Sequence, residues 1–102
     1  MYDNENYRYI TDEIIELTPL ENKMLRLLIK NKGKVMTYKQ IIKEVYFEMY
    51  NKEDMRQRMK IRRCIQRLRK KLKDEVEFIN KRSVGYMIEK FEERCNNEKN
   101  WL

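Results

Sequence analysis

The 102-residue chain has no histidine and no alanine, and only two glycines, one proline, two cysteines and one tryptophan. Each scarcity removes a class of reading. Without histidine the chain lacks the usual general base near neutral pH and the commonest metal ligand. Carboxylates are plentiful, yet none falls into a recognisable acid–base or metal-binding spacing. Two glycines do not make a phosphate-cradling loop. Enzyme activity, a cofactor and a metal are therefore not expected. Cys64 and Cys95 are too few for a disulfide framework or a zinc site. No apolar run approaches the roughly 18 residues of a membrane span. Residues 1–16 are acidic and polar, unlike a signal peptide. The expected location is the cytoplasm.

What is present is charge, 40% of the chain, beside 41% apolar residues, enough to bury one core of domain size. The net charge of +7 favours an anionic partner. Its distribution says more. Residues 55–73 hold ten bases and no acid, whereas residues 1–21 hold one base and six acids. A solvated helix normally interleaves both signs, because like charges four residues apart repel. An unrelieved run of bases makes physical sense when a polyanion supplies the missing charge. A basic surface face without a partner is the bland alternative.

The pattern along the chain predicts a hairpin, three helices and a second hairpin. Residues 7–10 and 14–17 are short β-prone runs. Thr18, Pro19 and Glu21 then form the start of a helix, with Thr18 as cap, Pro19 at its first position and Glu21 completing a capping box. Leu20, Met24, Leu27 and Leu28 recur behind them at helical spacing, and Gly33 suits the left-handed C-cap. Thr37 and Gln40 make a second capping box, followed by apolar Ile41, Ile42, Val45 and Tyr46. Residues 47–54 read as a loop, and Asn51 and Asp54 both qualify as cap of the third helix.

That helix is expected over residues 55–73. Ile61, Cys64, Ile65, Leu68 and Leu72 share one face, and Arg56, Met59, Arg63, Gln66 and Lys70 the opposite one, flanked by Arg62 and Arg67. Gln66 has the amide that pairs with adenine, as arginine pairs with guanine. Met59 either meets a thymine methyl or sits exposed. Residues 76–79 and 86–88 are β-prone and enclose residues 80–85, a hairpin with Lys81 and Arg82 near its tip. The expected fold class is α+β: a winged helix-turn-helix with an N-terminal hairpin, spanning residues 1–89. Residues 90–102 read as a tail, with a short helix through Phe91 and Cys95.

Leu17-Thr18-Pro19-Leu20-Glu21, Leu27-Leu28, Gly33-Lys34-Val35, Val45-Tyr46, Arg67-Leu68-Arg69-Lys70-Lys71-Leu72 and Val84-Gly85-Tyr86 together resemble the winged-helix effector domain of OmpR/PhoB-type response regulators. The resemblance covers about residues 7–89 and lies in the order and spacing of these pieces. It implies a bacterial transcription regulator that binds double-stranded promoter DNA, with the third helix in the major groove and the wing in the adjacent minor groove. It places Arg63, Gln66, Arg67 and Lys70 against bases and phosphates and Arg82 at the wing. It also implies head-to-tail homodimers on tandem sites, and contact with RNA polymerase by the loop over residues 47–54.

The chain departs from that pattern in four ways. Thr18 lies so near the start that no receiver domain is expected, which leaves an excised domain or an orphan regulator, with Met1 favouring the orphan. The N-terminal sheet reads as two strands rather than four. The stretch from Tyr46 to Ile65 is about four residues longer than usual, which argues against transferring the polymerase contact unchanged. Ser83 stands where the wing usually has glycine. Further residues carry two readings each. Cys64 is a core residue or a redox sensor. Cys95 cross-links a dimer or is a bystander. Tyr46 and Tyr86 pack in the core or stack on bases, packing being favoured. Trp101 anchors a dimer or belongs to a disordered tail. The rival functions are a winged helix that binds an acidic protein and a nonspecific architectural DNA binder.

Overall fold

The structure, a computed structural model, describes residues 1–11, 13–73 and 75–89. The tail helix expected through Phe91, Cys95 and Trp101 lie outside the described residues. The elements run β1 (Tyr2–Asp3), β2 (Arg8–Ile10), β3 (Ile14–Glu16), α1 (Pro19–Lys30), β4 (Met36–Thr37), α2 (Tyr38–Tyr46), α3 (Met55–Leu72), β5 (Phe78–Lys81) and β6 (Gly85–Ile88). Among the described residues, three helices and two antiparallel sheets make this an α+β winged helix, the expected class.

Both capping boxes form. Thr18 Oγ1 accepts from the Glu21 N–H at 3.1 Å while Glu21 Oε1 accepts from the Thr18 N–H at 2.9 Å. Thr37 and Gln40 repeat the arrangement at 3.2 and 2.9 Å. These bonds satisfy N–H groups that a helix start leaves orphaned, so each start is set by local chemistry. For α3 the cap is Asp54, whose carboxylate accepts from the Arg56 N–H at 3.0 Å; Asn51 accepts from Glu53 instead. Gly33, at φ +85°, follows the C-cap Asn31 of α1, and its N–H binds the Ile88 carbonyl at 2.9 Å, tying the end of α1 to the wing.

The N-terminal sheet differs from expectation. It has three strands in the order β1-β2-β3, not two. The extra strand is two residues long and too short to show an alternating pattern. It is fixed by tertiary contacts: Tyr2 stacks on Tyr9 at 6.4 Å, its hydroxyl donates to the Asn22 carbonyl at 3.1 Å, and Asn22 Nδ2 reaches Asn4 Oδ1 at 2.9 Å. The second sheet, β4-β6-β5, holds the wing, and β4 is likewise a two-residue strand with no period to read. The first wing strand runs two residues later than the β-prone stretch suggested. Val76 is buried ahead of it rather than within it.

The core lies where the helices meet the wing: Met24, Leu25 and Leu28 of α1, Ile41, Ile42 and Val45 of α2, Ile61, Cys64, Ile65, Leu68 and Leu72 of α3, with Phe78, Tyr86 and Ile88 beneath. Leu25 takes the buried place assigned to Leu27, and Leu20 and Leu27 are partly buried. All five residues expected on the inner face of α3 are buried, so the rotation of that helix about its axis follows from its own apolar pattern.

Candidate nucleic-acid interface

With the apolar face turned inward, the bases of α3 divide into three groups. On the side facing α1 and the α2–α3 loop they meet the protein's own carboxylates. Lys71 Nζ lies 2.6 Å and Arg67 Nε 3.4 Å from the carboxylate of Glu21, which is sealed from solvent at 0% exposure. Lys60 Nζ is 2.8 Å from Glu48. Burial by itself would raise the Glu21 carboxyl; the Lys71 hydrogen bond, the Thr18 N–H and the charges of Lys71 and Arg67 outweigh it and hold the group below the ordinary carboxylate range. Glu21 therefore works twice, as a capping-box residue of α1 and as the anchor that seats α3 against it.

On the opposite side, α3 and the wing enclose an open groove of about 420 Å³, lined by Arg58, Arg62, Gln66, Arg69 and Asn80, with Tyr38 and Tyr86 at its floor and Met55 and Met59 along its lip. Among the described residues no carboxylate lines it. Arg69 spans it, donating from Nη2 to the Phe78 carbonyl at 2.8 Å and so tying the hairpin to the helix. The outward face between these sides carries Arg56, Arg63, Gln66 and Lys70, all exposed. Among the described residues, the side chains of Arg58, Arg62, Arg63, Gln66, Lys70, Lys81 and Arg82 have no hydrogen bond or ion pair. Arg56 is paired with its neighbour Asp54 at 3.1 Å. Of the eight residues singled out from sequence, Arg62 and Gln66 line the groove, Arg56, Arg63 and Lys70 are exposed on the outer face of α3, Lys81 and Arg82 are exposed at the wing, and Arg67 is drawn aside by its contact with Glu21.

The wing turns through residues 81–84, closed by a bond from the Val84 N–H to the Lys81 carbonyl at 2.9 Å. Ser83 occupies its left-handed position at φ +65°, the place where glycine is sterically easiest. The substitution of serine there leaves the turn intact. Gly85, next along, has no such freedom: a Cβ would lie 1.9 Å from the Met36 carbonyl oxygen of β4.

Arg58, Arg69, Asn80 and Tyr38 line the groove and escaped the sequence reading. Arg58 lies one turn before Arg62 on the groove side, and a wider window on the same helical period would have found it. Asn80 and Tyr38 are brought to the groove only by the packing of β5 and α2 on α3. Cys64 is buried, and burial pushes its thiol up to about 11, with Arg67 pulling weakly the other way. That is the signature of a core thiol rather than a reactive one. Tyr86 is buried and Tyr46 partly so, both packing with the core.

Helix, turn and helix followed by a β-hairpin, with a cationic groove between helix and hairpin, define a winged-helix DNA-binding domain. Residues 12–88 match the family described as "Transcriptional regulatory protein, C terminal", and the chain belongs to it, the OmpR/PhoB type of DNA-binding transcription regulators. No curated protein matches the chain. Among solved structures it is similar to the DNA-binding domain of Bacillus subtilis CssR, with 28% identity over 74% of this chain and 81% of that one and a TM-score of 0.62. The DNA-binding domain of CpxR from E. coli shares 26% identity over 88% of this chain and 89% of that one, with a TM-score of 0.69. The Klebsiella pneumoniae RstA DNA-binding domain, solved in complex with the RstA box, has the same fold at 24% identity over 85% and 87% of the two chains and a TM-score of 0.69. Among the described residues no helix is long and apolar enough to cross a membrane.

Proposed function

We propose that the chain binds double-stranded DNA in a sequence-specific manner in the bacterial cytoplasm, with α3 in the major groove and the hairpin tip, residues 80–86, in the adjacent minor groove. The observation that carries this reading is the surface formed by α3 and the wing, where, among the described residues, Arg58, Arg62, Arg63, Lys70, Lys81 and Arg82 have no ion-pair partner and no carboxylate lines the groove. An α-helix fits the width of the major groove, and its exposed side chains then reach base edges. Arg63 and Gln66 are assigned to bases. Arg56, Arg58, Arg62 and Lys70 are assigned to phosphates at either rim, and Lys81 and Arg82 to the minor groove and its backbone. Arg67 is assigned to seating α3 through Glu21 while offering its remaining N–H groups to a phosphate.

One module covers few base pairs, so regulation calls for two copies on tandem sites. The α2–α3 loop supplies a separate protein-facing surface. Phe47 and Met49 are exposed on it, and Gln57 fixes its shape, donating to the Met49 carbonyl at 2.9 Å and accepting from the Asn51 N–H at 2.8 Å. We assign that loop to contact with RNA polymerase.

Selection of bound sequences from a random duplex pool tests the reading. Enrichment of one motif, occurring as a direct repeat, is the expected result. Retention of all sequences alike means an architectural binder. Failure to retain any duplex at low ionic strength overturns DNA binding altogether, and a pull-down that survives nuclease would then favour the protein-binding rival.

A further inference from the structure

The basic surface of α3 carries two long apolar side chains at the lip of the groove. Met55, 66% exposed, and Met59, 46% exposed, stand on the lip of the α3–wing groove, in line with Arg62 and Gln66. The four positions follow one another at intervals of four, three and four residues, which keeps them on one stripe of the helix. Eleven other apolar side chains of the helices are buried, whereas these two thioethers, one turn apart on the same stripe, stay in water and would gain from an apolar group that covers them. The cations around them select the partner. Arg58 flanks the stripe on the groove side and Arg63 on the other, with Arg62 within it, and an apolar protein patch would have to desolvate all three. A polyanion that also carries apolar groups suits both features. In the major groove of DNA the one apolar group at a base edge is the thymine C5-methyl.

We propose that Met55 and Met59 are specificity-determining residues that pack against thymine methyl groups, while Gln66, whose amide has no partner among the described residues, pairs with an adenine of the same half-site. The operator is therefore one in which A·T pairs are read by methyl contact as well as by hydrogen bonds. The helix rise puts Met59 about 6 Å beyond Met55 and Gln66 about 10 Å beyond Met59, corresponding to steps of roughly two and three base pairs. The inference rests on the placement of α3 in the major groove proposed above.

Single thymine-to-deoxyuridine replacements along the selected site test it, because uracil keeps every hydrogen-bonding group of thymine and lacks only the methyl. Affinity is expected to fall about threefold to tenfold at two positions and to be unchanged at the others. Met55→Ala should abolish the effect at one of them and Met59→Ala at the other, with thermal stability unchanged because both side chains are exposed. If the duplex is bound specifically but every uracil replacement is neutral, or the losses persist in both alanine variants, the methyl readout is wrong and the major-groove placement stands. If no site is bound specifically, the placement fails and the methyl readout with it.

Discussion

Glu21 shows how one side chain serves two levels of structure. In sequence it is the third residue of a capping box; in space it holds Lys71 and Arg67, fifty and forty-six residues away. Glu21→Gln keeps an oxygen for the cap and loses the charge. The expected cost is about 1–2 kcal/mol by chemical denaturation, below that of a fully buried pair because both bases remain partly exposed to water. Its carboxyl is depressed in the folded state, so it contributes stability above the ordinary glutamate pKa of 4.5 and loses that contribution as pH falls through the lower folded value. The native chain should therefore lose stability on acidification below about pH 4.5 more steeply than the Gln variant, as unfolding midpoints over a pH series would reveal. The same scale settles Cys64. Its thiol, buried and pushed up to about 11, should resist alkylation in the native state and react only after denaturant is added, read residue by residue in a mass map.

At the scale of elements, the wing is held by one close approach. Gly85 lies in β6 opposite Thr37 of β4, and a methyl there would run into the Met36 carbonyl. Because the obstacle is backbone, no rotamer change relieves it. Gly85→Ala is expected to cost about 1–3 kcal/mol and to weaken DNA binding as well, since the displaced strand carries the hairpin. A thermal melt and a binding titration would check both; an unchanged melt would mean that β4 yields easily. The start of α3 has a different device. The polar Gln57 is buried among the apolar positions of that helix and spends its amide on the loop before it. An amide in an amphipathic helix reads as surface by composition, and its burial follows from the shape of the longer loop that it fills. Gln57→Leu should therefore leave the loop backbone short of partners and expose it to limited proteolysis near residues 49–51 before the helices unfold.

At the scale of the whole molecule, charge of opposite sign is gathered at opposite parts of the chain, and folding converts a count into a field. The run of ten bases over residues 55–73 is not uniform in space. Lys60, Arg67 and Lys71 are partly neutralised by Glu48 and Glu21, while Arg58, Arg62, Arg63 and Lys70 remain open. With about five phosphate contacts, binding should weaken roughly 250- to 1,000-fold between 50 and 200 mM monovalent salt, a slope near −4 to −5 on logarithmic axes. A slope near −9 or −10 would mean that every base of α3 contacts DNA and that the Glu21 pairs break on binding. Lys70→Ala should reduce the slope by about 1 with little change in sequence preference.

The three helices, the N-caps of α1 and α2 and the inner face of α3 were legible in the sequence, because capping boxes and apolar periodicity act between residues three and four apart; the choice of Asp54 over Asn51 as cap of α3 was not. The cationic surface and the hairpin were legible for the same reason: composition and turn residues are local. Strands β1 and β4, two residues each, carry no period, and their pairing depends on surfaces built by distant segments. Which bases of α3 are left open to a ligand was likewise decided by folding alone, since whether a lysine meets a phosphate or a glutamate depends on what the rest of the chain sets beside it.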